Sequence, residues 1–415
     1  MMKTNPALFI FRFIFGMAFL LSACVGGENV ATSTPVSVSV PTETNVPLAT
    51  VTVAPTIPAA SVSACKLPSL SFTNVGLGFP NPSYKLPSLG NIKTIVLFAD
   101  FSDVPAVQTP EETFALVSPN AEQFFSTVSY GKMNWKLEPH FTWLRLSQPS
   151  AHYGDAIHSY DGHLAFIQEA VTLADTEVDF STADSVVVMV PPQASAVGYG
   201  PAFGANEGFG YTADGKTFSN GVTSGADLNN WGYLWLNHES GHTLGLPDLY
   251  AYQYDTSNYD DLHRFVGGFG LMGFISGKAP EYFAFERWQL GWLDDAQIVC
   301  QLTGDQTTTI TPIETQGGMK AIIVPISNSK AVVVESRRPI GYDQALVKSG
   351  ALVYTVDTSI PSGEGTLTVY PILENDPYRD SSPLAIGESV TVENVTVTVL
   401  DATDQTDIVK VSITK

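Results

Sequence analysis

The stretch from position 238 to position 248 reads His-Glu-Ser-Gly-His-Thr-Leu-Gly-Leu-Pro-Asp, and the organisation of the chain is best understood outward from it. Two histidines four residues apart lie on one face of a helix, one turn above the other, so both imidazoles can reach one metal ion. Asn229 or Asn230 could cap the start of that helix. Gly245 stands where the helix would end, since glycine accepts the left-handed conformation there. The stretch therefore predicts a metal-binding helix followed by a tight turn.

The spacing assigns a role to each polar side chain of this stretch. His238 and His242 are the first two predicted ligands, and Asp248 can return to the metal after the turn as the third, which leaves a fourth position for water, as in catalytic zinc sites. Glu239 would accept the proton of that water as general base and pass it to the departing amine. Zinc is the expected ion, because calcium prefers oxygen ligands over paired imidazoles. Glu286, on a predicted helix further along, is the alternative third ligand, unless it is a structural carboxylate.

The extended array resembles the metzincin pattern, His-Glu-x-x-His-x-x-Gly-x-x-His, with Asp248 in place of the last histidine. Metzincins also carry a methionine turn beneath the metal. Met272, in the sequence Phe-Gly-Leu-Met-Gly at 269–273, is the candidate for that turn, and a core methionine is the other interpretation. Tyr282 could stabilise an oxyanion, although a packing role is at least as well supported.

More of the chain resembles the immune inhibitor A-type secreted bacterial metallopeptidases. The matching stretches lie at 98–103, 129–132, 238–250, 271–272, 284–292, 335–337 and 341–343, so the resemblance covers roughly residues 90 to 360. It implies a zinc endopeptidase that acts on extracellular proteins. By the family's motif, His238, His242 and Asp248 would be the ligands and Glu239 the catalytic base.

The region around this motif predicts an α/β arrangement. Continuous apolar runs at 92–98 and 186–190 indicate buried strands, and helices are expected to begin at Pro119 and at Asp161. The stretch 133–146 alternates enough to suggest a hairpin. Strand, helix and strand in this order are typical of an α/β half-domain.

The hydrophobic pattern of the sequence changes after Cys300. Short β-branched runs separated by turn residues occur at 307–313, 321–325, 331–335, 352–357, 367–372, 395–400 and 408–413. Regular short strands without a helical pattern predict an all-β module. The expected fold class is thus an α/β (α+β) metzincin-like zinc metallopeptidase catalytic domain at 65–300, followed by an all-β sandwich-like C-terminal module at 301–415.

The first 64 residues predict a targeting signal followed by an extended linker. Lys3 and Arg12 accompany a short apolar run that ends in Leu-Ser-Ala-Cys at 21–24, which resembles the bacterial lipobox. We expect a lipoprotein signal peptide at 1–23, lipidation of Cys24, and anchoring to the outside of the bacterial cell membrane; a plain secretory signal is the alternative. Residues 24–64 are rich in Thr, Val, Ser and Pro, which predicts an extended stalk.

Charge and cysteine content restrict the function further. The chain has 20 Lys and Arg against 41 Asp and Glu, a net charge of −21, which would repel nucleic-acid phosphates. Three cysteines are too few for a disulfide scaffold. Cys65 and Cys300 flank the predicted catalytic domain and could pair in an oxidising compartment, or Cys65 could block the zinc as a thiolate.

A second metal site and the overall function complete the predictions. Asp255, Asp260 and Asp261 could hold a structural calcium ion, although a solvated acidic loop is the favoured interpretation.

We expect a monomeric, surface-tethered zinc metalloendopeptidase acting on extracellular proteins or peptides. The alternatives are a catalytically silent protein-binding or glycan-binding module on the same fold, and a metal-dependent hydrolase of a non-peptide bond.

Overall fold

A computed structural model of the chain describes residues 62–70 and 73–414. The predicted signal peptide, the lipidation residue Cys24 and the stalk up to residue 61 lie outside these residues. Val62 is already buried against the hydrophobic core, so the folded part includes residues ahead of the predicted start at Cys65. Within the described ranges, no helix has the length and apolar character needed to cross a membrane.

The architecture is mixed α/β, with several sheets and few helices. The helices are α1 (Pro110–Phe114), α2 (Asn120–Val128), α3 (Ser150–Ala156), α4 (Tyr160–Ala174), α5 (Leu228–Trp231), α6 (Tyr233–Thr243) and α7 (Ala284–Gln289). The strands are β1 (Gly90–Asp100), β2 (Met133–Arg145), β3 (Ser185–Met189), β4 (Ala202–Gly204), β5 (Tyr211–Ala213), β6 (Lys216–Phe218), β7 (Asn220–Thr223), β8 (Ile298–Cys300), β9 (Asp305–Ile310), β10 (Ala321–Pro325), β11 (Lys330–Arg337), β12 (Gly350–Asp357), β13 (Leu367–Tyr370), β14 (Ser389–Val392), β15 (Val395–Thr403) and β16 (Thr406–Ile413).

The first sheet has the strand order β2-β1-β3-β7-β4, with β4 antiparallel at one edge and the other pairs parallel. Both faces of β1 are buried: Val96 and Phe98 join one core cluster, while Ile95 and Leu97 join another. Burial on both faces explains why this strand reads as a continuous apolar run rather than an alternating one. The predicted strands at 92–98 and 186–190 and the helices near Pro119 and Asp161 are confirmed.

The predicted hairpin at 133–146 is wrong, because these residues form one strand, β2, parallel to β1. The pairing is interrupted between Val96 and Phe98 of β1, where the partner residue changes from Pro139 to Trp143. Proline has no N–H to donate to a ladder and is tolerated at such irregularities. The sequence feature that suggested a turn therefore marks an irregularity in the pairing of the edge strand β2.

All seven strands predicted after Cys300 are present, in two sheets ordered β13-β12-β11-β10-β8 and β14-β15-β16-β9. The first of these is a middle layer, since Ile322 and Val332 face the β14–β16 sheet while Ile323 and Val333 face the core beside the first sheet. The two sheets pack face to face like a sandwich. The core beside the first sheet continues across the predicted boundary between residues 300 and 301.

A disulfide bond joins Cys65 to Cys300, with their Cα atoms 5.8 Å apart. This is the pairing that the flanking positions of the two cysteines suggested. It ties the beginning of the described chain to β8, and Cys65 is completely buried there. Cys65 is therefore not a free thiolate covering the metal site.

Candidate metal centre

Helix α6 carries the two histidines and has a sharply defined start and end. Gly232 precedes it with a φ of +53°, a conformation that suits glycine and separates α6 from the short helix α5. The predicted cap at Asn229 or Asn230 is wrong, because both residues lie within α5. Gly245 adopts a φ of +104° after the last turn, which confirms the predicted left-handed stop.

The side chains of His238, His242 and Asp248 converge, and we call these three residues the metal-ligand cluster. Asp248 Oδ1 lies 3.2 Å from Nε2 of His238 and 3.2 Å from Nε2 of His242. The Nδ1 atom of His238 lies 2.9 Å from the carbonyl oxygen of Leu271, and the Nδ1 atom of His242 lies 2.8 Å from the carbonyl oxygen of Leu246. Because a carbonyl oxygen only accepts, each Nδ1 carries the hydrogen, and each neutral ring then presents a lone pair at Nε2.

Three lone-pair-bearing atoms facing one another require a cation between them. Burial alone would lower the pKa of His242, but the Asp248 carboxylate outweighs that effect and raises the pKa of His242 to about 9. Burial would raise the pKa of Asp248, and the two histidines reverse this and hold it well below its usual range. The Asp248 carboxylate and a positive charge on His242 therefore stabilise each other.

The donor set fits zinc. Around a tetrahedral zinc ion with ligands at roughly 2.0–2.1 Å, neighbouring ligand atoms lie roughly 3.3 Å apart. The two separations of 3.2 Å between Asp248 Oδ1 and the histidine Nε2 atoms match that edge length. Asp248 Oδ1 accepts no hydrogen bond from the described residues, so a metal would complete its bonding.

Asp248, the predicted third ligand, is held by residues that the sequence analysis did not identify. Tyr252 donates from its hydroxyl to Asp248 Oδ2 at 2.6 Å, and the Asp248 N–H donates to Ser362 Oγ at 2.8 Å. Ser362 follows β12, so a loop of the predicted C-terminal module supports the metal-ligand cluster. Such hydrogen bonds orient ligands and tune metal affinity. A separation of 114 residues between Asp248 and Ser362 leaves no local signal for this contact.

Glu239 lies beside the metal-ligand cluster and next to an edge strand. Ligand atoms of His238, Glu239 and His242 lie within 4.8 Å of one another. Glu239 Oε2 accepts a hydrogen bond of 2.7 Å from the N–H of Ala202 in β4. Burial raises the pKa of Glu239 against the opposing effect of the two histidines.

A cleft opens above these groups. One cavity of about 380 Å³ is bordered by Ala202 and Phe203 of β4, by Lys85 and by Tyr250, with Glu239 among its lining residues. A second cavity of about 330 Å³ also includes Glu239 and Tyr250 and has aromatic walls, formed by residues such as Trp231, Tyr259 and Phe274. The carboxylate-bearing residue Glu239 therefore lies between two cavities and lines both of them.

Met272 lies under helix α6. A side chain at Gly241 would meet Met272 Sδ at 2.5 Å, so the absence of a Cβ at Gly241 permits this approach. The Leu249 N–H donates to the Met272 carbonyl at 2.9 Å, which ties the turn to the chain after the helix. Tyr282, in contrast, is fully buried and donates to the carbonyl of Asn237 at 3.1 Å, so it packs in the core instead of facing the cleft.

Glu286, the alternative third ligand, lies in the core at the start of α7. It is fully buried, and its Oε2 accepts a hydrogen bond of 2.8 Å from the N–H of Phe283. Burial raises the pKa of Glu286 to about 8. The geometry of Asp248 fits the third-ligand position, whereas Glu286 is engaged elsewhere.

The three aspartates of the acidic loop each contact a different partner. Asp255 Oδ1 accepts from the N–H of Ser257 at 2.9 Å, Asp260 accepts from Tyr378, and Asp261 Oδ2 pairs with Arg264 at 3.1 Å. Each carboxylate thus uses a different partner. The geometry gives no support to the calcium prediction, which stays a prediction.

Next to Glu286 lies a second group of buried charges, the buried ion network of Glu281, Arg287, Glu335, Arg337 and Asp343. Arg287 Nη2 contacts Glu281 Oε2 at 2.6 Å. Arg337 contacts Glu335 Oε1 at 2.6 Å through Nε and Asp343 Oδ2 at 2.6 Å through Nη1. Both guanidinium groups are fully buried. The network connects α7 to β11, and its members belong to or adjoin the motif stretches at 284–292, 335–337 and 341–343.

Comparison with known proteins gives no assignment. No protein-family model matches the chain, and no curated protein matches it either. The resemblance to immune inhibitor A-type metallopeptidases therefore stays a prediction.

Proposed function

We propose that this protein is a zinc metalloendopeptidase that hydrolyses peptide bonds of extracellular proteins, on a metzincin-like catalytic fold of the immune inhibitor A type. The observation that carries this proposal is the convergence of the metal-ligand cluster beside Glu239 at the floor of the cleft. Asp248 Oδ1 stands 3.2 Å from both histidine Nε2 atoms, with no hydrogen bond from the described residues to satisfy it.

His238, His242 and Asp248 would hold the zinc ion. Bound there, zinc would supply a Lewis acid that acidifies water and polarises a carbonyl group. Glu239 would take a proton from the attacking water and deliver it to the leaving amine. The upward shift in the pKa of Glu239 favours that double role, because it makes the carboxylate a stronger base. Tyr250 borders the same space with its hydroxyl group.

Strand β4 offers a way to align an extended substrate. It is the edge strand of the first sheet, and it borders the cleft through Ala202 and Phe203. Two groups along its outer edge are already engaged, because the Ala202 N–H donates to Glu239 and the Gly204 carbonyl accepts from Asn74 Nδ2, so a substrate would pair with the other backbone groups of this edge. An extended peptide can add to such an edge through main-chain hydrogen bonds. This mode does not depend on chain ends and so favours internal peptide bonds.

The sequence adds proposals about location and partners. A lipidated Cys24 and the stalk at 24–64 would tether the enzyme outside the bacterial cell membrane, with the membrane contacted only through the lipid. Extracellular proteins or peptides would be its substrates, and the chain would act as a monomer. The acidic charge balance disfavours nucleic acid.

Casein cleavage by the purified, zinc-loaded protein tests the proposal. We expect Glu239→Gln to lower the cleavage rate by about 10²–10⁴-fold while zinc content is unchanged, because only the general base is lost. Glu138→Gln, the same change at a surface ion pair, is the matched control and should retain full activity. A chelator should abolish cleavage reversibly. Wild-type protein that holds zinc but cleaves neither casein nor gelatin would contradict the proposal and favour a silent binding module.

A further inference from the structure

Lys85 has a buried side chain whose ammonium group borders the cleft and has no protein counter-charge in the described part of the chain. The residue is 5% exposed, and its Nζ forms no hydrogen bond or ion pair with any residue of the described ranges. Its nearest electrostatic partner is the ring of the adjacent Tyr84, 5.1 Å from Nζ. Burying an ammonium group without a partner is costly, so an unpaired buried lysine needs a reason.

The position of Lys85 is fixed beside the metal centre. The N–H of the next residue, Leu86, donates to the carbonyl of Thr243 at the end of helix α6, at 2.9 Å. Asn220 donates to the carbonyl of Tyr84 at 2.8 Å. The stem of Lys85 passes Gly245, where a Cβ would lie 3.6 Å from Lys85 Cγ. Backbone contacts on both sides therefore hold this side chain against the loop that follows α6.

The ammonium group shares the cleft with the catalytic residues. Lys85 lines the same cavity as Glu239, His242 and Asp248. Burial lowers the pKa of Lys85 to about 8, and no carboxylate acts against this effect. Asp248 and Glu239 contact the histidines, Tyr252 and Ala202, and neither forms an ion pair with Lys85. The missing counter-charge is one that an occupant of the cleft can provide.

We propose that Lys85 binds a carboxylate of the substrate, so that the enzyme prefers peptides with an acidic group at a fixed distance from the scissile bond. A carboxylate is the natural partner of a buried ammonium group, because charge-assisted hydrogen bonds are the strong ones. This carboxylate is either an Asp or Glu side chain or the C-terminus of the peptide. The inference rests on the proposed peptidase function and adds a substrate class to it.

Cleavage of three random octapeptide pools, followed by mass spectrometry, tests the inference. One pool contains Asp and Glu with amidated C-termini, one contains only neutral side chains with free C-termini, and one has neither acid. We expect one acidic pool to be cleaved with a kcat/KM about 10–100-fold above the neutral pool, in line with the usual strength of a hydrogen bond to a charged group. The preferred pool identifies the source of the carboxylate.

Substitutions at Lys85 link that preference to its charge. Lys85→Met should remove the preference, and Lys85→Glu should reverse it, so that the neutral pool is cleaved faster than the acidic pools. Lys136→Met, at an exposed ion pair, is the control and should keep the wild-type preference. Equal cleavage of all three pools by wild-type protein, or an unchanged preference in Lys85→Met, would overturn the inference while leaving the peptidase function intact.

A binding experiment keeps the inference testable if no peptide is cleaved. Glu239→Gln protein, immobilised and loaded with zinc, is incubated with the same pools, and retained peptides are counted. We expect one acidic pool to be retained over the neutral pool, with the difference lost when Lys85→Met is added. Equal retention of all pools would contradict the role of Lys85. Retention of an acidic pool without cleavage by wild type would instead remove the peptidase proposal alone.

Discussion

The metal-ligand cluster and the buried ion network both take charged side chains out of water, but they balance the charges in opposite ways. In the network, Arg337 sits between Glu335 and Asp343, and Arg287 pairs with Glu281. In the cluster, two imidazoles and a carboxylate point their lone pairs at one another. In the network, each guanidinium group contacts a carboxylate of the chain itself, whereas in the cluster the described residues place no cation between the three atoms.

This difference separates stability from function. Arg337, paired with its two carboxylates, links the segment before α7 to β11, and removing one partner leaves the others uncompensated. The cluster borders a cleft, and its three converging atoms are suited to hold a cation. We therefore expect substitutions in the network to change stability, and substitutions in the cluster to change metal binding.

The largest expected stability effect is that of Arg337→Met. Glu335 and Asp343 would remain buried without their cation, which should lower the free energy of unfolding by about 3–5 kcal/mol. Urea denaturation measures this change. Lys410→Met breaks an exposed pair with Asp305 and should change the free energy of unfolding far less. Similar losses in both variants would show that the network is no more important than a surface ion pair.

Zinc should stabilise the wild-type protein by an amount comparable to the network. A ligand that binds only the folded state contributes about 2.7 kcal/mol at a free concentration of 100 times its Kd, and about 4.1 kcal/mol at 1,000 times. Thermal unfolding with and without a chelator measures the increment. Asp248→Ala should lose it and Lys410→Met should keep it. An increment retained by Asp248→Ala would place the stabilising ion elsewhere.

Lys85→Met is expected to increase stability by about 1–3 kcal/mol at neutral pH, because it removes an unpaired buried charge. Burial lowers the pKa of Lys85 from 10.5 to about 8, so between these values the unfolded chain binds more protons than the folded one. As the pH rises from about 8 to 10.5, the free energy of unfolding of the wild-type protein should therefore increase relative to that of Lys85→Met. Denaturation at pH 7 and near pH 10.5 checks this, and a constant difference would contradict it.

The smallest effect is expected for Tyr282→Phe, which removes one buried hydrogen bond to Asn237 and should cost about 0.5–1.5 kcal/mol. The rate of casein cleavage should stay unchanged, since Tyr282 does not line the cleft. Tyr250→Phe is the matched change within the cleft, where we expect a lower kcat with little change in stability. A reduced kcat in Tyr282→Phe at wild-type stability would return that tyrosine to the catalytic site.

The sequence predicted those parts of the site that are local in the chain. The spacing of His238 and His242 and the position of Gly245 specify a helix and its end within a few residues. Asp248 follows closely enough for its return to be anticipated. Strands such as β1 were recognisable because burial on both faces produces a continuous apolar run.

Long-range contacts explain what the sequence could not predict. Ser362 supports Asp248 from 114 residues away, and nothing near Ser362 signals that role. Lys85 resembles an ordinary surface lysine until its burial is known. Asp248 was the predicted third ligand and Glu286 the alternative, and only the folded arrangement separates a carboxylate in the core from one beside the histidines.

Zinc content measured together with X-ray absorption tests the metal centre most directly. We expect about one zinc per chain in the wild-type protein, with two nitrogen ligands and oxygen ligands at roughly 2.0–2.1 Å. Asp248→Ala should lose most of the zinc and Glu286→Gln should retain it. Zinc that stays bound in Asp248→Ala, or that is lost in Glu286→Gln, would contradict the assignment of His238, His242 and Asp248 as the metal site.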